Sequence, residues 1–373
     1  LSWKPDIARR ESTTLETRPH GGNVWDVAEE SAIRSGELID FSSSICPLGP
    51  SRNVLNAIKN SLWKISFYPQ TDAANLRRLV ARQHGSISLR NVIVGNGSCE
   101  LIYLFADFFV REGTFALIPI PTFSEYESAI LRAGGRVEEI KPRDCFKVDV
   151  EAILNHICKD SLVFICNPNN PTGNLTKRDD LLKILDLSAY HEALVFIDET
   201  FMDFVENQEE YSLAGEVENH RNLFVLRSLT KFHSLAGLRI GYGLASEKTV
   251  ELLHKAKIPW NVNCLAQTAA EHAIKDHKHA ERVRELVARE RTFLMGRLKT
   301  NRKLRVYDSE ANFILIDTRG TDLNGPQIAE RALKRGLMIR DCSSFKGLDE
   351  FHIRVAIKTR RQNLILLDFL ESL

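Results

Sequence analysis

Short apolar runs punctuate the middle of the chain, at 92–94, 115–118, 162–166, 194–197, 223–226 and 241–245. Each is too short for a buried helix, and each begins with, or is bounded on at least one side by, Gly, Pro, Asn or Asp, so each reads as a buried strand. A further strand is expected at 136–140. Between the runs, apolar positions recur with the 3.6-residue period of a helix. The segments concerned are 51–63, with Val54, Leu55, Ile58 and Leu62 on one face, and 73–84, 101–109, 124–133, 149–158 and 177–190. Strands alternating with helices across this stretch predict an α/β fold with an open, mostly parallel sheet covered on both faces.

After Ala245 the pattern changes. A helix is broken at Ile258-Pro259-Trp260, and 265–298 reads as one or two long charged amphipathic helices. Strands near 304–307, 312–316, 338–341 and 352–356, with helices near 325–335 and 360–372, predict a smaller α+β domain. Upstream, 1–19 shows no periodicity and is expected to be an arm. A helix at 24–35 and a short strand from Ile39, stopped by Pro47 and Gly49, follow it. The expected division is 1–50 as arm and segment packing with the small domain, 51–262 as large domain and 263–373 as small domain.

Composition narrows the class. With 373 residues, 43% hydrophobic and 27% charged, the chain can bury a sizeable core as an ordinary globular protein. A formal charge of +1 leaves no global attraction for nucleic acid or an anionic membrane, so any anionic ligand must be held by local groups. No apolar run approaches the roughly 20 residues that span a bilayer. Residues 1–18 lack an apolar signal-peptide core, so a cytoplasmic location is expected. The seven cysteines are scattered, odd in number and without Cys-x-x-Cys, which argues against a disulfide framework or a zinc ribbon.

The polar residues that interrupt the pattern cluster just past the strand ends, where α/β sheets bind ligands. Gly95-Asn96-Gly97-Ser98 follows the first run and opens a helix, a geometry that aims free backbone N–H groups at an anion. Phe123 follows the second and could stack on a flat ring. Asn167-Pro168-Asn169-Asn170-Pro171-Thr172-Gly173 is a rigid polar loop. Asp198 ends another run. Ser228-Leu229-Thr230-Lys231 is followed by Gly237-Leu238-Arg239-Ile240-Gly241-Tyr242, placing one lysine in a hydroxyl-rich turn with an arginine eight residues on. An amine near buried surface can form a Schiff base with an aldehyde cofactor.

These motifs, in this order, resemble fold-type I pyridoxal-phosphate enzymes close to histidinol-phosphate aminotransferase, over nearly the whole chain. The resemblance implies pyridoxal 5'-phosphate as cofactor, held by Lys231 as the Schiff-base amine and Asp198 at the pyridine nitrogen. Asn170 would sit near the ring oxygen and Phe123 on the ring face. Gly97, Ser98, Ser228 and Arg239 would surround the phosphate. It also implies a homodimer, in which Tyr68 of Tyr68-Pro69 reaches the partner's cofactor phosphate.

Further strings resemble the threonine-phosphate decarboxylases of cobalamin biosynthesis. They are His20-Gly21-Gly22-Asn23, Asp40-Phe41-Ser42, Pro47-Leu48-Gly49, Pro259-Trp260, Ile339-Arg340, Phe345-x-Gly347-Leu348 and Arg354-Val355-Ala356-Ile357. Phe201 points the same way, because the aminotransferases usually carry tyrosine there. The implied reaction converts L-threonine O-3-phosphate to (R)-1-amino-2-propanol O-2-phosphate and carbon dioxide. Arg340 and Arg354 would bind the substrate's carboxylate and phosphate, with His20 at the mouth. Ser44 and Cys46 depart from the family, which carries asparagines there. Ser44 can still donate a hydrogen bond, whereas Cys46 is a poor donor. L-serine O-phosphate as substrate, an aminotransferase acting on histidinol phosphate, and a binding protein without turnover are the alternatives.

Overall fold

A computed structural model describes residues 20–85 and 87–373; the expected arm at 1–19 lies outside the described residues. The strands in chain order are β1 (Ile39–Asp40), β2 (Val92–Gly95), β3 (Phe115–Pro119), β4 (Arg136–Ile140), β5 (Leu162–Cys166), β6 (Leu194–Asp198), β7 (Leu223–Ser228), β8 (Gly241–Ala245), β9 (Arg305–Val306), β10 (Phe313–Asp317), β11 (Leu337–Met338), β12 (Arg340–Asp341) and β13 (His352–Ala356). Seven form one sheet in the order β2-β8-β7-β6-β5-β3-β4. Only β8 runs against its neighbours, so the expectation of a mostly parallel sheet holds.

The continuous apolar runs have a physical cause: β5 and β6 are buried on both faces. Val163, Ile165, Val195 and Ile197 enter one core, with Leu76 and Val80 of helix Ala74–Gln83 and Leu181 and Ile184 of helix Arg178–Tyr190. Phe164, Phe196 and Phe224 enter the opposite core, under helices Ser98–Phe109 and Glu125–Arg132. These three phenylalanines are register partners across β5, β6 and β7. Their rings stack at 4.9 and 5.0 Å, a cross-strand aromatic ladder of the kind that stabilises sheets.

A second sheet, β12-β13-β10-β9, is antiparallel and packs on a separate core from helices His277–Leu298, Gly325–Leu333 and Arg360–Glu371. β1 pairs with β11, tying the segment before 50 to the C-terminal unit. Two expectations need correction. Helix Cys264–Lys275 buries Ala266, Ala269 and Ala270 in a core of the large sheet, so we place the division of the units after Lys275 rather than after Val262. Asp276 caps the next helix by accepting from His279 N at 3.2 Å, which divides 265–298 there. Leu55 and Leu62 are each 50% exposed. Helix Arg52–Asn60 ends before Leu62 and a tighter turn follows, so only Val54 and Ile58 of that face reach the core.

Arg227 on β7 is buried and donates to Glu199 Oε2 at 2.9 Å, Asp203 Oδ1 at 2.9 Å and Ser212 Oγ at 3.1 Å. Glu199 also accepts from Leu213 N at 2.8 Å. Removing the guanidinium strands two carboxylates away from water. Arg227→Ala is therefore expected to destabilise the protein by about 3–5 kcal/mol, read from its urea-unfolding midpoint. A loss below about 1 kcal/mol, the range of an exposed pair, would mean that the network is hydrated.

Candidate active site

The carboxyl ends of the parallel strands open into a cavity of about 310 Å³ that also takes residues from 20–44 and from the C-terminal unit. Lys231, Asp198, Asn170, Phe123, Ser98, Arg239, His20, Ser44, Arg340 and Arg354 all line it. Residues more than 300 positions apart in the chain therefore share one space. Gly97, Ser228 and Tyr68 do not line it.

Lys231 sits just past β7. Its carbonyl accepts from Cys46 N at 3.0 Å, and Ser234 Oγ donates to Cys46 O at 3.0 Å, so the lysine turn is fastened to the segment after β1. Burial, followed by the nearby Arg354 guanidinium, lowers the Lys231 ammonium to about 8. The amine is thus substantially neutral at mildly alkaline pH, the form that attacks a carbonyl.

Asp198 ends β6 with its carboxylate buried. Tyr126 Oη donates to Oδ2 at 2.7 Å and Thr200 N to Oδ1 at 2.8 Å. Burial raises the carboxyl pKa while these hydrogen bonds counter it. A cationic ring nitrogen against Asp198 would favour the ionised form. Tyr126 was not singled out in the sequence. It stacks on Phe164 at 5.7 Å, at the end of the phenylalanine ladder, and its signal was a polar aromatic in the first turn of a helix after a strand end.

The helix Ser98–Phe109 begins at Gly97 with no side-chain cap, leaving its first N–H groups open to an anion. Gly97 has φ +83°, and a Cβ there would come within 2.7 Å of Arg239 Nη2. Only glycine lets the guanidinium close over the helix start. Ser228 Oγ and Thr230 Oγ1 are 2.8 Å apart, and it is Thr230 that faces the cavity. An amine, a buried carboxylate, an aromatic face and an anion cradle together fit a planar pyridine aldehyde carrying a phosphate.

The outer half of the cavity is cationic. Arg354 donates through Nη1 to Asn170 Oδ1 and through Nη2 to Ser42 O at 2.9 Å. Burial, chiefly, lowers its guanidinium to about 10. Arg354 Nε and Ser44 Oγ are buried without a protein partner, a donor set suited to an anionic ligand. Arg340 Nη2 donates to Ser344 Oγ at 2.9 Å. Asp40 accepts from the backbone N–H and hydroxyl of both Ser42 and Ser43, which shapes the serine turn. A Cβ on Gly21 would lie 2.4 Å from Ser42 O, so the double glycine serves close approach of two backbones. His20 meets Glu125 Oε1 at 2.9 Å, and Tyr103 Oη donates to Glu125 Oε2 at 2.6 Å. Glu125, Cys99, Thr200 and Phe345 are cavity residues that the sequence reading missed.

Two departures from expectation are informative. Cys46 does not line the cavity; its side chain packs in the core of the C-terminal unit, so its poor donor capacity does not bear on ligand contacts. Tyr68 is 82% exposed and its ring meets that of Trp260 at 4.8 Å, tilted by 32°, in a groove outside the cavity of its own chain. Among the described residues, no group of three or more His, Cys, Asp or Glu could hold a metal ion, and no helix is long and apolar enough to cross a membrane.

Comparison with known proteins matches residues 36–370 to the family "Aminotransferase class I and II". A histidinol-phosphate aminotransferase of Methanothermobacter thermautotrophicus is 32% identical over 98% of this chain and 96% of its own. A Caldanaerobacter subterraneus protein, provisionally named threonine-phosphate decarboxylase, is 35% identical over 98% of this chain and 96% of its own. Among solved structures, the L-threonine-O-3-phosphate decarboxylase of Porphyromonas gingivalis superposes with TM-score 0.79 at 26% identity, covering 89% of this chain and 98% of that one.

The Lys231 environment makes a direct prediction. Schiff-base formation with pyridoxal, trapped by borohydride and located by mass spectrometry, should show a midpoint near pH 8 at Lys231. Ordinary lysines titrate near ~10.4. Arg354 holds the ammonium down, so Arg354→Met should move the midpoint to higher pH. An unchanged midpoint would remove Arg354 as a cause.

Proposed function

Because the chain belongs to the class I and II aminotransferase family, we propose that it binds pyridoxal 5'-phosphate and decarboxylates L-threonine O-3-phosphate. The product would be (R)-1-amino-2-propanol O-2-phosphate, the linker of the cobalamin nucleotide loop. The observation that carries this reading is that Arg340 and Arg354 line the same cavity as Lys231. An amino acid bearing both a carboxylate and a phosphate has a guanidinium available for each anion. Phe201, which also lines the cavity, and the relatives bearing the decarboxylase name support it.

When bound, pyridoxal phosphate supplies a conjugated ring that accepts electrons from a bond at the substrate's α-carbon. The chain's own groups do the rest. Lys231 Nζ would hold the cofactor through its aldehyde; set free when the substrate's amine takes its place, it could return a proton to the α-carbon once carbon dioxide has left. Asp198, fixed by Tyr126 and Thr200, would face the ring nitrogen and favour its protonated form. Phe123 would offer a ring face, and Gly97, Ser98 and Arg239 would hold the phosphate, with Ser228 behind Thr230. Arg354, with Ser44 beside it, would bind an anionic group of the substrate and so orient the amino acid for loss of its carboxylate. His20 closes the mouth.

The same reading makes the protein a homodimer. Leu55, Leu62, Trp63, Ile65, Phe67 and Tyr68 are exposed apolar side chains within a short span, an unusual density for a free surface. A second copy covering them would bring Tyr68 to the partner's cofactor. Transamination of histidinol phosphate is the second reading, favoured by the relatives so named.

Purified, cofactor-loaded protein given L-threonine O-3-phosphate without a keto acid should release carbon dioxide over many turnovers. Lys231→Ala should lose at least about 10²-fold in rate. Arg354→Met should raise KM by about 10- to 100-fold, the loss of a charge-assisted contact. Accumulation of the cofactor's amine form, reversed by 2-oxoglutarate, would instead identify the aminotransferase. L-serine O-phosphate turning over faster would reassign the substrate, and turnover of none of the three would leave only a binding role.

A further inference from the structure

Three consecutive residues open the helix Glu125–Arg132, and each grips a different wall of the cavity. Glu125 holds His20 of the N-terminal segment, and Tyr126 holds Asp198 at the end of β6. Glu127 reaches the C-terminal unit: Lys346 Nζ lies 2.5 Å from Glu127 Oε1 and also pairs with Glu139 on β4, the edge strand of the large sheet.

Lys346 belongs to a tight turn between β12 and β13. Phe345 N donates to Cys342 O, and Leu348 N to Phe345 O, both at 3.0 Å. The turn borders the cavity at Phe345, and the Arg340 guanidinium lies 5.3 Å from that ring's centroid. Ser344 Oγ accepts from Arg340 Nη2. Lys346 itself lines a narrow crevice behind the site, with Ile120, Phe123, Glu127 and Glu139.

We infer that Lys346 is a positioning residue: by bridging Glu127 and Glu139 it seats the 342–348 turn on the large unit and so fixes Arg340 for an anionic group of the substrate. The proposed function enters only in naming that group a phosphate or carboxylate. The physical reason is conformational entropy. An arginine that samples many rotamers must be ordered at every binding event, and a pre-seated one need not be. A lone exposed ion pair does this weakly. Here one ammonium is shared by carboxylates from a helix and a strand, and Glu127 is only 14% exposed.

Inorganic phosphate, titrated calorimetrically into the cofactor-loaded protein, tests the inference without requiring turnover. Lys346→Met should weaken phosphate binding by about 2- to 5-fold and speed amide hydrogen exchange across 343–348. Lys346→Arg, which keeps the charge, should restore most of the affinity. In an Arg340→Met background, Lys346→Met should add nothing, because it acts through Arg340. Unchanged affinity in Lys346→Met, losses that add in full, or a wild-type protein that binds no phosphate would each overturn the inference. Phosphate binding with the expected Lys346 dependence, but no decarboxylation, would overturn the proposed reaction alone.

Discussion

The hydrogen bond from Tyr126 to Asp198 is the constraint on which the site depends. A carboxylate at the end of a doubly covered parallel strand is out of reach of bulk water and must have partners. One comes from its own turn, through Thr200 N, and the other from the next layer, through Tyr126. Tyr126 can serve because its ring ends the stack of Phe164, Phe196 and Phe224, which fixes the helix that carries it. The aromatic core beneath the sheet thus sets where the acid points.

From that helix the site spreads across parts of the chain that are far apart in sequence. Its neighbours Glu125 and Glu127 hold the N-terminal segment and the C-terminal unit. On the far side, Cys46 fastens the lysine turn, and Arg354 spans from Asn170 to Ser42. Arg354 has two effects. Its charge holds the Lys231 ammonium down, and its free Nε and the unpartnered Ser44 hydroxyl leave hydrogen-bonding capacity for a ligand anion. In the proposed reaction, one buried cation would both keep the Lys231 amine available and offer a donor to the substrate's anion.

Position within the fold also separates Ser44 and Cys46, the two residues that depart from the decarboxylase resemblance. Ser44 and Cys46 lie two residues apart, but the chain turns between them. Ser44 lines the cavity, while Cys46 enters the core of the C-terminal unit and contributes to the site only through its backbone. Of the two positions, only Ser44 can touch a ligand in this cavity.

The sequence by itself determined the alternation of strands and helices, the parallel sheet and the polar residues at the strand ends that reach the cavity. The reason is that buried strands must be apolar throughout, and polar residues at their ends stand out against them. Lys231, Asp198, Asn170, Phe123 and Arg239 were legible for that reason. Their grouping with His20, Arg340 and Arg354 followed from resemblance, since no local rule joins residues 20 and 354. Tertiary structure alone decided that Tyr126 fixes Asp198, that Glu125 and Glu127 reach opposite walls, and that Leu55 and Leu62 face outward. It also decided that helix Cys264–Lys275 packs with the large sheet and that Ser228 stands behind Thr230. These are matters of which neighbour a side chain meets across space, and periodicity along one chain carries no record of that.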